Sequence, residues 1–486
     1  MTISSKRLAA AAVGCVAAIG ISAPSAFADF ASPYTSKCTG DSVVGKGSTF
    51  QNAAQAAWGS SWAITGAYCA SPFGTAGKTV SYTGGGSGAG RTAVGATDTP
   101  GSARDAATAF AGTDEPVTPT QLTNANEGPN VDAAADADDA ALRTIPVISG
   151  AIAIIVNYPD HCTTPADFLF TKSNAPANTG RLKLSRARVE RVFGADSTFD
   201  TWGEIVTGIN DDNSVDGDPN VNSCADLQMK RVVRLDESGS TFQLKRWLDV
   251  QRPTRHWKQE DGVYTNLQWP NDTVSDPANR PAATGGGAVA DLVNATDGSI
   301  GYVDLATARA KGFDKDDTAA DDTYWMPIQD QAASFKEPTF SSSGFLKADD
   351  HQAYYGSALK KGANCRTTTY SNVPDVGGNG PDAADTLGSW AQVTGVAGGS
   401  NGGYPLCIMS YDMAWDDSWD AFGGPLPPTT PRPGEAQQRT VKDYLFFALS
   451  NTGQNKGDTA DYSKLPDDIL INIARPAQLA LNYHKS

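Results

Sequence analysis

The sequence is short of the residues that build metal centres and nucleic-acid surfaces. Among 486 residues there are 4 histidines and 7 cysteines, and 38 lysines and arginines stand against 54 acids, a formal net charge of -16. The histidines are scattered and no two cysteines lie close together, so zinc-ligand spacing is missing and no metal or other cofactor is expected. The acidic balance argues against nucleic acid and anionic membranes as partners, since both demand a basic surface. No HExxH helix is present. The turn Gly45-Lys46-Gly47-Ser48-Thr49 lacks the spacing of a nucleotide-binding loop. Beyond the first thirty or so residues, no apolar stretch is long enough to cross a bilayer.

What is present begins with an export signature. Lys6 and Arg7 precede an apolar run over 8–21, and Ala26-Phe27-Ala28 supplies a small-x-small site, so residues 1–28 read as a signal peptide cut after Ala28. Cys15 lies within a faint lipobox, but apolar sequence continues past it and a better cleavage site follows, so it reads as part of the apolar run. Six cysteines remain, Cys38, Cys69, Cys162, Cys224, Cys365 and Cys407, an even number that fits three disulfides in an oxidising compartment. Their connectivity is open from sequence. Sequential pairing, Cys38–Cys69, Cys162–Cys224 and Cys365–Cys407, is expected because each pair brackets one segment. The protein is therefore expected in the periplasm or secreted, without membrane insertion after cleavage.

The 49 glycines and 28 prolines make the chain rich in loops, and its length fits two or three compact units. Residues 147–156, VISGAIAIIV, form a near-continuous apolar run of the kind found in buried strands. Strands are expected at 79–82 and 231–234. Helices are expected at 50–62, 184–193, 241–250, 441–450 and 466–481. Strands alternating with helices point to α/β sheets. Segments 209–230, 252–283, 314–324, 372–403 and 423–434 are charged or turn-forming, and read as surface decorations.

Three turns share one pattern, a polar or glycine turn leading into a helix: Ser48-Thr49-Phe50, Ser87-Gly88 and Ser238-Gly239-Ser240. A helix N-terminus leaves backbone N–H groups without intrahelical partners and carries partial positive charge, so it can hold a phosphate-like anion without lysine. Taken singly, each is an ordinary cap. The order of these segments resembles the periplasmic phosphate-binding protein of high-affinity phosphate ABC transporters. The resemblance runs through GKGSTF at 45–50, Gly84 to Ser87, Thr113-Asp114-Glu115-Pro116, the strand at 145–156 and Arg234-Leu235-Asp236-Glu237-Ser238-Gly239-Ser240.

That resemblance implies a two-lobed α/β binding protein of the type II-like periplasmic fold, with the ligand between the lobes. Lobe I would comprise 29–149 plus 407–486, and lobe II 150–406. It further implies a monomer that takes inorganic phosphate to the permease subunits of an ABC importer, and is no enzyme. The phosphate ligands would be Thr49, Phe50 through its backbone N–H, Ser87, Asp114, Arg234, Ser238, Gly239 and Ser240, with Asp236 supporting Arg234. Phosphate keeps a proton at neutral pH and sulfate does not, so an ionised carboxylate at Asp114 would accept a hydrogen bond from that proton and reject sulfate. Thr97-Asp98-Thr99-Pro100 repeats the motif nearby, but Phe110-Ala111-Gly112 reads more like the strand that should lead into the acid. Glu237 stands where the family usually has glycine, an extra acid beside an anion site.

Overall fold

The computed structural model describes residues 40–64, 78–129, 141–170, 181–194, 200–211, 224–255, 257, 269, 280–314, 323–339, 362–371, 373, 393–397, 403–416, 418–422 and 434–481. The expected signal peptide, Cys15, Cys38 and Cys69 lie outside them. The strands used below are β1 (Val43–Gly47), β2 (Val80–Gly84), β3 (Phe110–Thr113), β4 (Leu142–Asn157), β5 (Lys230–Arg231), β6 (Val233–Arg234), β7 (Ala282–Ala283), β8 (Ser299–Asp304), β9 (Thr323–Trp325), β10 (Thr368–Ser371), β11 (Thr394–Ala397) and β12 (Cys407–Trp415). The helices are α1 (Asn52–Ile64), α2 (Ser87–Ala93), α3 (Gly239–Gln251), α4 (Gly286–Asn294), α5 (Glu435–Ala448) and α6 (Asn451–Thr459).

The apolar run of the sequence becomes the backbone of the sheet. β4 is one strand of 16 residues, every one of them buried. Its β-branched side chains suit a pleated surface covered on both faces. β12 pairs antiparallel with its first part, from Trp415 opposite Leu142 to Cys407 opposite Ala151. β8 takes over at Ile152 and pairs antiparallel to Asn157. β9 pairs along that same later part. The strand order is β2-β1-β3-β12-β4-β8-β5, with β9 joined to β4 off this path. The parallel neighbours β1, β2 and β3 are linked by crossovers that carry α1 and α2, as parallel pairing requires. The fold is mixed α/β, as expected.

Several elements differ from expectation in instructive ways. The strand read at 231–234 divides. Val232 N–H bonds Ile300 in the main sheet, whereas Val233 N–H bonds Pro281, so β6, with Arg234, leaves the main sheet's pairing and joins β7. The decoration read at 372–403 includes β11, which pairs with β10 as a hairpin arm. The helix read at 441–450 starts earlier, at Glu435, and the chain then forms α6, whose glycines and polar residues conceal its helical spacing. Residues 466–481 form a short helix, a π-helical turn over Leu470–Ala474 and a last helix over Arg475–Ala480.

Aromatic residues fill the core on both parts of β4. Trp62 meets Tyr444 and Phe447 edge-on beneath α5. Phe193, Trp257, Trp269 and Tyr302 form a second cluster near α3 and β8. Cys162–Cys224 and Cys365–Cys407 are disulfides, with Cα–Cα distances of 5.8 and 5.7 Å. The first of these uses up both thiols beside His161, so that grouping offers neither a nucleophile nor a metal site.

Candidate functional site

The strand ends of one half of the sheet and the start of α3 approach one another around Asp114. This residue follows β3, and its side chain is almost wholly buried. Ser48 Oγ donates to Asp114 Oδ2 at 2.6 Å, and Ser410 Oγ on β12 lies 2.6 Å from Oδ1. Ser87, the first residue of α2, accepts the Asp114 N–H at 3.0 Å, with its own hydroxyl 3.5 Å from Oδ2. Burial lifts the Asp114 carboxyl from its ordinary value to about 6, against the hydroxyls of Ser410 and Ser48, the charge of Arg234 and the hydroxyl of Ser87. At neutral pH it remains an ionised acceptor.

From the other side comes the segment that follows β6. Arg234 is buried, and Asp236 takes it in a two-pronged pair: Nε to Oδ1 at 2.7 Å and Nη2 to Oδ2. Gly285 N–H adds a bond to Asp236 Oδ1 at 2.9 Å. Burial pushes the Asp236 carboxyl up, but Arg234 and these N–H groups outweigh it and hold the carboxyl below its usual value. With two nitrogens so fixed, Arg234 Nη1 reaches Thr49 Oγ1 at 3.4 Å. Tyr302 OH accepts the Arg234 N–H at 3.3 Å and meets Thr241 Oγ1 at 2.5 Å, tying the arginine to the first turn of α3.

α3 opens with Ser238 as N-cap, its hydroxyl accepting the Thr241 N–H at 3.3 Å. The helix start faces the opposite strands at very close range. A Cβ on Gly239 would stand 2.4 Å from Ser87 Oγ and 2.6 Å from Asp114 Cβ, so only glycine fits there. Gly86, at φ 93°, lets the chain enter α2 beneath the Glu237 carbonyl, which a Cβ would meet at 2.7 Å. Gln243 Nε2 donates to the Asp114 carbonyl at 2.8 Å, a further bond across the gap.

Thr49, Phe50, Ser87, Asp114, Arg234, Ser238, Gly239 and Ser240 therefore lie about one place. Ser238 and Ser240 are buried on either side of Gly239. The Phe50 N–H is donated to Ser48 Oγ at 3.0 Å, and its ring packs edge-on against Tyr462. Asp98, the rival acid, is exposed and accepts from Gln121 Nε2 at 3.1 Å, away from this cluster. Glu237 points outward, its side chain 62% exposed and 3.3 Å from Arg91, which also pairs with Glu115.

Sequence reasoning did not single out Ser410, Gln243 or Tyr302 for this place. Ser410 lies 296 positions from Asp114, and no local pattern marks a serine inside a strand. Ser48 stood in the opening motif as a cap; its bond to the acid was not legible.

The chemistry available is recognition of an anion. Arg234 is neutralised by Asp236, and Asp114 adds a negative charge, so attraction must come from hydroxyls and backbone N–H groups at helix starts. Asp304, buried at the end of β8 and capping the next helix through Thr307 N–H at 2.8 Å, is pushed up to about 6 by burial.

The family model described as the PBP superfamily domain matches residues 25–357. The chain belongs to this family. The matched stretch contains all eight of these residues, from Thr49 to Ser240. Two curated relatives are both called phosphate-binding protein PstS, from strains of Xylella fastidiosa. One is 30% identical over 138 residues, covering 28% of this chain and 34% of the relative. The other is 36% identical over 83 residues, covering 17% of this chain and 20% of the relative. The chain thus aligns with about a third or less of these relatives' length. Among solved structures, a phosphate-binding protein from Stenotrophomonas maltophilia aligns at 17% identity and TM-score 0.51, over 89% of this chain and 93% of that one. A high-affinity periplasmic phosphate-binding protein (PfluDING) bound with phosphate aligns at 18% identity and TM-score 0.52, over 88% and 92%. At such identities the likeness is one of fold. It covers a larger share of the chain than the family match does.

Proposed function

We propose that this PBP family chain binds inorganic phosphate outside the cytoplasmic membrane and delivers it to an ABC importer, making and breaking no bond. The observation that carries the reading is the buried carboxylate of Asp114, set against the N-terminus of α3 and the hydroxyls of Thr49, Ser87 and Ser238. Such a set donates to a tetrahedral anion from many directions and accepts from it in one place. That is the hydrogen-bond inventory of a phosphate carrying one proton, and not of sulfate. The relatives' names, and the phosphate bound in the PfluDING structure, support the same ligand.

The two lobes would be 29–149 plus 407–486 and 150–406. The exchange of partners along β4, from β12 to β8 between Ala151 and Ile152, supports a boundary there. Closure would bring Arg234 and α3 onto Thr49, Ser87 and Asp114 by hinge motion. Cleavage after Ala28, action as a monomer and partnership with permease subunits belong to the same reading.

Titration calorimetry with phosphate and sulfate tests it. Phosphate is expected to bind far more tightly than sulfate, and Asp114→Asn, which can donate as well as accept, to shrink that gap by tenfold or more, about 1.4 kcal/mol. A wild-type protein indifferent to the two anions overturns the proposal, as does turnover of phosphomonoesters at catalytic protein levels.

A further inference from the structure

Ser410 lies on β12, far along the chain from the other residues of the site, and is wholly buried. Its Oγ has Gln51 Nε2 at 2.8 Å, Asp114 Oδ1 at 2.6 Å and the Thr113 carbonyl at 3.3 Å. Where its hydrogen points is decided at the far end of the Gln51 amide. Gln51 Nε2 also lies 2.8 Å from the Tyr411 carbonyl, which can only accept, so this atom is the NH₂ group and donates to Ser410. Gln51 Oε1 receives Gln55 Nε2 at 2.8 Å, whose other hydrogen goes to the Asp412 carboxylate at 3.1 Å. Tyr444 OH donates to Gln55 Oε1 at 2.6 Å. The network is consistent in this one sense. Because Ser410 receives a hydrogen from Gln51, it sends its own onward, and the shorter contact is Asp114 Oδ1. Ser48 is wired alike: the Phe50 N–H arrives at 3.0 Å, and its hydroxyl hydrogen leaves for Oδ2 at 2.6 Å.

The geometry points to Ser410 as a specificity-determining positioning residue, whose hydroxyl hydrogen, oriented by Gln51, holds Asp114 as an ionised acceptor and so sets the preference for a protonated over a fully deprotonated oxyanion. The inference rests on the phosphate reading and deepens it. Hydrogen bonds to the charged form of a buried carboxylate oppose the effect of burial. Without the Ser410 hydrogen, Asp114 takes up a proton at higher pH. A protonated carboxyl donates to sulfate as readily as it receives from phosphate, and discrimination fades.

The test is calorimetry of wild type and S410A with phosphate and with sulfate, between pH 5 and 8. Arg234, Asp304, Tyr82, Tyr411 and Tyr462 surround Asp114, and Asp412 titrates at the far end of the Gln55–Gln51 chain; all are shared by both proteins. Any difference between the two therefore reports the lost hydroxyl. S410A is expected to bind phosphate with its preference over sulfate reduced about tenfold, and with the pH at which that preference disappears shifted upward. A purely structural role would weaken both anions alike and leave the ratio and the pH midpoint where they are; that result overturns the inference. If S410A does not fold, S410C keeps the volume with a weaker donor. A partly narrowed ratio then supports the inference, and an unchanged one overturns it. Wild type without phosphate preference sinks the underlying reading, which separates the two failures.

Discussion

Gly239 shows how little room the site leaves at the level of single residues. Its hydrogen faces Ser87 Oγ and the Asp114 side chain, where a methyl carbon would come within 2.4 and 2.6 Å. Gly239→Ala would push the start of α3 away from those groups. Overpacking of this kind costs about 1–3 kcal/mol, and if the lobes separate without ligand the strain falls on the bound form. Phosphate affinity is then expected to drop by roughly ten- to a hundredfold in calorimetry, with the melting temperature of the unliganded protein nearly unchanged. An equal loss in both would mean that the contact is permanent. The residues brought together here were legible because motif order carried them: Asp114 and the Ser238-Gly239-Ser240 cap come from short signatures at fixed offsets. The partners that orient them were not. Ser410 is placed by strand register and Gln51 by the short helical turn over Thr49–Gln51, and nothing in their local sequence distinguishes them from core polar residues.

Among the elements, β4 was the most legible, because residues 147–156 within it form a near-continuous apolar run. Its double pairing was invisible, since the choice of partner depends on strands more than a hundred residues away. Within 372–403, whose turn-forming composition points to a surface decoration, lies a strand. β10 and β11 pair over four residues each, and Cys365, just before β10, is bonded to Cys407 at the first position of β12. Tyr370 OH on β10 reaches Ser149 Oγ on β4, and the Ile408 carbonyl at 3.1 Å. The hairpin thus leans on the sheet where β4 changes partners. The disulfide closes a loop with a sequence separation of 42, for which chain entropy gives a stabilisation of about 4 kcal/mol. The double variant C365S/C407S is expected to lose about that amount in urea unfolding while its phosphate affinity holds within a few-fold. A collapse of affinity would instead make the hairpin part of the binding apparatus.

At the scale of the whole molecule, acids govern the response to pH. Asp412 is wholly buried between Gln55 and its neighbours, and burial, opposed by the Gln55 and Gln51 amides, raises it to about 7. Asp114 and Asp304 stand at about 6 for the same leading cause. A carboxyl whose folded pKa exceeds its unfolded one binds its proton more tightly when folded. Stability is therefore gained as pH falls through the folded value, and lost as it rises. Between pH 7.5 and 5.5 Asp412 alone contributes on the order of 2 kcal/mol in this direction. Asp236 opposes the trend only near and below the ordinary carboxyl range, because its pKa is lowered. The net charge of -16 acts the same way as Asp412, since protonation relieves self-repulsion. The unliganded protein is thus expected to resist urea better at pH 5.5 than at pH 7.5, and Asp412→Asn to flatten that slope. Phosphate should reverse it in part, because the bound anion calls for ionised Asp114 and so favours the higher pH. Equal slopes with and without phosphate would remove the carboxylate from the recognition of the ligand.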